Sequence, residues 1–77
     1  MPISPAQCRA ARALLGWTQA ELAARAEVSP GTVRGFECGR HDPHRATAAA
    51  LRRALEEAGV AFLDPDEGGG AGVRKRC

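Results

Sequence analysis

The chain has 77 residues, a formal net charge of +2, one Trp, two Phe and no Tyr, so it is one domain whose small core must be assembled from short aliphatic side chains. A core of that size leaves about 3–5 kcal/mol of stability, and dimerisation is a natural supplement. No apolar run is long enough for a membrane span, and the N-terminus has neither the basic start nor the apolar core of a signal peptide, so the cytoplasm is the expected location.

Ser4, Pro5 and Gln7 announce the first helix: a capping hydroxyl, a proline at the first turn and a glutamine placed to reach back to the cap. The helix should run to about Leu15 and stop at Gly16 in the left-handed conformation. Cys8, Ala11 and Leu15 share its inward face with Leu14 beside them, while Arg9 and Ala13 lie further round. Trp17 follows and covers the end of the core.

Residues 18–37 organise the rest of the chain. Thr18 and Glu21 form a Thr-x-x-Glu capping box for a second helix, with Leu22, Ala23 and Ala26 turned inward. Val28 falls in a tight turn. Ser29 caps a third helix whose first position is Pro30, where the missing N–H costs nothing. Val33 and Phe36 continue the inward face, leaving Gly31, Thr32, Arg34 and Gly35 outside. Two short helices across a tight turn, the second with little apolar surface of its own, form the helix-turn-helix pattern, in which the second helix is offered to the DNA major groove.

Residues 38–43 read as a loop broken by Gly39 and Pro43. A further helix begins near His44 or Arg45, with Asp42 or His44 as alternative caps, and runs to Ala58 with Gly59 as its stop. Leu51 and Leu55 make its buried stripe, supported by Ala48 and Ala58. Arg52 and Arg53 face outward, with Glu56 one turn after Arg52. Val60 to Leu63 is a short apolar strand candidate, and residues 64–70 are a polar connection. The segment from Gly72 to Arg76 is either a return strand or a disordered basic end. A two-stranded ribbon is marginal alone, so it must lean on the helices or pair with another copy.

The charge is unevenly spread. Up to Arg53 the chain carries eight arginines against four acids, a balance of +4; residues 54–67 carry −5 and residues 68–77 carry +3. The basic first two thirds, and not the net charge, suggests nucleic acid. Cys8, Cys38 and Cys77 are odd in number and lack CxxC spacing, and neither His41 nor His44 completes a zinc set with them. Reduced thiols are expected, with no metal and no cofactor.

From Arg12 to Arg40 the chain resembles the Cro-like, or XRE-type, helix-turn-helix family of phage repressors and bacterial regulators. The residues that carry the resemblance are Arg12, Leu15-Gly16-Trp17-Thr18-Gln19, Glu21-Leu22-Ala23, Val28-Ser29, Thr32-Val33 and Phe36-Glu37-x-Gly39-Arg40. With its supporting helices it covers residues 4–60, the extension 61–77 being separate. It implies an all-α, compact four- to five-helix lambda-repressor-like domain, with the small C-terminal ribbon as an addition. It also implies an interior ion pair between Arg12 and Glu37, which suits a carboxylate near an apolar seam because Arg can meet it bidentately.

The resemblance further implies that Thr18 and Gln19 grip a phosphate at the start of the second helix. Ser29 is a cap that can also turn toward the DNA backbone. At the base-reading positions stand Pro30 and Gly31, where relatives place long polar side chains. Thr32 and Arg34 remain; Arg34 can reach a guanine edge or a phosphate. Gly31 and Gly35 weaken the helix but permit close approach to the groove wall, so shape readout gains weight. Arg40 and Arg45 are further phosphate candidates, whereas Arg9 and Arg25 are expected to be solvated. Glu27 stands where the family usually has Gly, and is expected to be left-handed.

The sequence therefore points to a sequence-specific regulator of double-stranded DNA, a repressor, acting as a homodimer. The alternative is an antitoxin-like or adaptor module whose main partner is a protein. An enzyme is disfavoured, since no nucleophile stands at workable spacing from a base and the Gly68–Gly70 run precedes no helix.

Overall fold

The computed structural model describes residues 3–39, 45–64 and 69–76. Within them the order is α1 (Pro5–Leu15), α2 (Gln19–Ala26), α3 (Pro30–Glu37), α4 (Arg45–Glu57), β1 (Val60–Leu63) and β2 (Gly72–Lys75). The expected all-α domain with a C-terminal ribbon is what forms.

Helix starts follow the sequence closely. Ser4 Oγ accepts the Gln7 N–H at 3.1 Å, and Gln7 Oε1 accepts the Ser4 N–H at 2.9 Å, which closes the capping box of α1. Thr18 and Glu21 do the same for α2 at 3.0 and 3.1 Å. Ser29 caps α3 through the Thr32 N–H, with Pro30 at the first position. The caps proposed for α4, Asp42 and His44, lie outside the described residues, as do Arg40, Cys77 and the side chain of Arg45.

Helix ends are set by left-handed residues. At Gly16, φ is 68°, and the Trp17 N–H reaches back to the Arg12 carbonyl at 3.0 Å. The same closing bond, Val28 N–H to the Ala23 carbonyl at 3.0 Å, ends α2, but the left-handed position there is Glu27, with φ 60° and ψ 41°. This is the only non-glycine at positive φ among the described residues.

The core is built of small residues, as the composition requires. Cys8, Ala11, Leu22, Val33, Leu51, Leu55 and Val60 are fully or almost fully buried, with Phe36 at the centre of the α3 face. Trp17 is half-buried against this cluster, and Arg25 lies over its ring, 5.1 Å from the centroid. No helix among the described residues is long and apolar enough to cross a membrane.

The ribbon forms, and it leans on the helices. β1 and β2 pair antiparallel, Val60 opposite Lys75 and Leu63 opposite Gly72. Val60, Phe62 and Val73 pack on the core, with α1 beneath β2 and α4 beneath β1. Gln7, already a cap, uses its amide nitrogen to donate to the Gly72 carbonyl at 3.1 Å and the Leu63 carbonyl at 3.4 Å. One buried side chain thus fixes both the start of α1 and the open end of the ribbon.

Candidate nucleic-acid interface

The candidate surface is α3 together with the N-terminus of α2. On α3, Val33, Phe36 and Glu37 are buried, Thr32 and Gly35 are half-buried, and Pro30, Gly31 and Arg34 are exposed. Arg34 is the one long polar side chain on this exposed face, and its guanidinium has no partner among the described residues. Ser29 Oγ and Thr32 Oγ1 lie 2.8 Å apart, so these two hydroxyls satisfy each other at the helix start. Thr32 and Val33 N–H groups are taken by the Ser29 carbonyl, and Pro30 has none, which leaves the Gly31 N–H as the donor open at the tip of α3.

Neither glycine on α3 is required by the protein itself. A Cβ at Gly35 would meet nothing within 4 Å, and one at Gly31 would meet only Ser29 Oγ at 3.9 Å. Both residues have ordinary helical φ. The protein accepts two poor helix formers at positions where alanine would fit without a clash, and gains a low, smooth surface.

At the start of α2, Thr18 Oγ1 is committed to the Glu21 N–H, and the Glu21 carboxylate to the Thr18 N–H. The Gln19 and Ala20 N–H groups remain at the helix end, where the dipole favours an anion. The Gln19 side chain is not simply solvated: its Nε2 donates to Glu37 Oε1 at 3.0 Å. The first residue of α2 is thereby tied to the last residue of α3.

Glu37 is the hub behind this surface. It is 4% exposed. Arg12 meets it with Nε to Oε2 at 2.7 Å and Nη2 to Oε1 at 2.8 Å, and Cys8 Sγ donates to Oε2 at 3.3 Å. Burial alone pushes the carboxyl pKa up. The hydrogen bonds from Arg12, Gln19 and Cys8, with the Arg12 charge, more than reverse this and hold it below its ordinary value. The Cys8 thiol moves the other way: burial, then the hydrogen bond and charge of Glu37, push it up to about 12. Arg12 also donates through Nη1 to the Trp17 carbonyl at 2.9 Å, and Arg9 donates to the Glu37 carbonyl.

The sites expected from sequence are therefore gathered into two groups. Gln19 is tied to the Arg12–Glu37 pair, with Thr18 beside it as the cap of α2, while Ser29, Gly31, Thr32, Arg34 and Gly35 belong to the cap and helix of α3. Arg9 and Arg25 are exposed as expected, yet each has a partner, the Glu37 carbonyl and the Trp17 ring. Among the described residues no group of His, Cys, Asp and Glu is arranged to hold a metal. The contacts of Gln7 with Gly72 and of Cys8 with Glu37 were not expected from sequence, because the partners lie 65 and 29 residues away.

A helix-turn-helix family model matches residues 9–59, more than half of the chain. No sequence among curated proteins matches it.

Proposed function

Because the chain belongs to the XRE-type, Cro-like helix-turn-helix family of DNA-binding proteins, we propose that it is a transcriptional repressor that recognises a specific double-stranded site as a homodimer, one α3 in the major groove of each half-site. Arg34 carries this reading. It is exposed and has no partner among the described residues, on a helix whose other exposed positions are Pro and Gly, so base selection rests on one bidentate donor to guanine, with groove shape supplying the rest.

In this reading the Gln19 and Ala20 N–H groups take a phosphate, with Thr18 shaping the helix start and the Gln19 amide held ready by Glu37. Ser29 and Thr32 fix the tip of α3, and Gly31 and Gly35 admit the groove wall. Arg40 and Arg45 hold phosphates on the flank. The protein works in the cytoplasm, without cofactor or catalysis.

Selection from a pool of genomic fragments at two salt concentrations tests this. The expected result is a salt-sensitive enriched palindrome that is lost in Arg34→Ala, each phosphate contact adding about one unit to the salt slope. Uniform weak binding with no enriched site would instead favour the adaptor or antitoxin-like reading, to which so sparse a reading helix is also suited.

A further inference from the structure

We propose that Arg9 is a positioning residue for DNA reading: from α1 it pins the main chain at the end of α3, and so fixes the direction in which Arg34 leaves that helix. The inference rests on the DNA-binding reading above and adds to it a residue that touches neither base nor phosphate.

Glu37 is held at two ends by α1. Its carboxylate takes Arg12 and Cys8, together with Gln19 of α2. Its main-chain carbonyl takes the Arg9 guanidinium. Arg9 and Arg12 are spaced i, i+3 and are therefore neighbours on one side of α1. The carboxylate bonds reach α3 only through the rotatable side chain of Glu37, and a helix hung from one side chain can still swing. Arg9 acts on the main chain itself. Among the described residues, no other side chain from outside α3 and its cap bonds the backbone of that helix. Two anchors on one residue, separated by the length of a glutamate side chain, fix tilt as well as position.

The last turn of α3 depends on such support. The final carbonyls of a helix have no partner within it. Here the Cys38 N–H takes the Arg34 carbonyl at 3.0 Å, and the Gly39 N–H, at left-handed φ 71°, takes the Phe36 carbonyl at 3.1 Å. No backbone donor of the described residues reaches the Glu37 carbonyl. Arg9 supplies a charged one, at the helix end where the dipole favours a cation. Gly35 weakens this turn from within, and Arg34 opens it. Fraying of the turn therefore moves Arg34, whose guanidinium must meet a guanine edge with two parallel bonds. Arg9 is itself exposed, so its removal opens no cavity in the core, and what is lost is this one bond.

Arg9→Ala and Arg9→Lys in the full chain test the role, compared at a temperature where their helical circular dichroism matches the wild type. Without DNA, amide exchange in Arg9→Ala is expected to speed up at Cys38 and Gly39 and to stay unchanged at Leu22 and Ala26. Unchanged exchange at Cys38 and Gly39 overturns the proposal. On the site enriched by the wild-type chain, affinity relative to a scrambled duplex should fall in Arg9→Ala by about tenfold, the discrimination that one bidentate pair with guanine supplies. Arg9→Lys should recover most of it, because a single carbonyl accepts from an ammonium as well. In an Arg34→Ala background, Arg9→Ala should cost nothing further. Losses that add in the double variant overturn the proposal. So do equal losses on both duplexes with a salt slope shallower by about one unit, which would make Arg9 a phosphate contact. An enriched site whose preference survives Arg9→Ala overturns the positioning role alone and leaves the DNA reading standing, whereas no enriched site for the wild type overturns both.

Discussion

Arg12 and Glu37 face each other with two parallel hydrogen bonds of 2.7 and 2.8 Å, and this pair joins α1 to the end of α3. The carboxylate is almost fully buried while Arg12 keeps a side-chain exposure of 20%, so the pair is asymmetric: removing the arginine strands a charge, and removing the acid does not.

Arg12→Ala should therefore destabilise the fold by about 3–5 kcal/mol, close to the whole stability of so small a domain. Arg12→Lys should fall between, because an ammonium cannot reproduce the fork. Urea midpoints of the three proteins check the order. Equal midpoints for Arg12→Ala and wild type would mean that Glu37 finds other partners.

The same hub gives two pH limits of opposite sign. The folded pKa of Glu37 is lowered, so its contribution is present above the unfolded value and is lost as pH falls through the folded one, in the acid range below about 4.5. The folded pKa of Cys8 is raised from 9.0 to about 12. Its contribution is full below pH 9 and declines as pH climbs toward 12, where the unfolded chain ionises its thiol and the folded chain does not. Denaturation followed across that alkaline window should show a decline that Cys8→Ser removes, since serine keeps a donor for Glu37 and does not titrate there.

Glu27 occupies a left-handed position at φ 60° with a side chain that prefers not to be there. Glu27→Gly should raise stability by about 1 kcal/mol, measured as a higher melting temperature. It also removes an acid near the proposed DNA surface, so nonspecific DNA affinity should rise. A lower melting temperature would show that the glutamate holds the turn by a contact absent from its backbone geometry.

Gly35→Ala separates stability from function. With nothing within 4 Å of the new Cβ, the isolated protein should gain up to about 1 kcal/mol from helix propensity. If the groove wall approaches here, DNA affinity should nonetheless drop by about tenfold, or ~1.4 kcal/mol. A variant both stabler and fully active would remove the close-approach role.

The scaffold was legible because its signals are local. Ser4 with Gln7, Thr18 with Glu21, and Pro30 after Ser29 are capping patterns no more than four residues wide, and each formed as its spacing required. The first strand was legible as an apolar run before a polar connection, while the return strand stood open against a disordered basic end, and the ribbon's support was not legible: the amide that holds it belongs to Gln7, 65 residues from Gly72. The same holds for the hub. Resemblance paired Arg12 with Glu37, whereas the Cys8 thiol and the Gln19 amide joined them only when α1, α2 and α3 met in space. The Gln19 side chain, expected to face DNA, is thus drawn to a buried charge, a preference no short window of sequence contains.

The most direct test of the DNA-binding account is a titration of the isotopically labelled protein with duplex DNA, followed by backbone amide shifts residue by residue. The largest changes are predicted at Gln19 and Ala20 and from Ser29 to Gly35, with the Arg34 guanidinium resonances moving and the ribbon amides unchanged. Shifts confined to β1 and β2, or none at all at a salt concentration where the protein is folded, would contradict it.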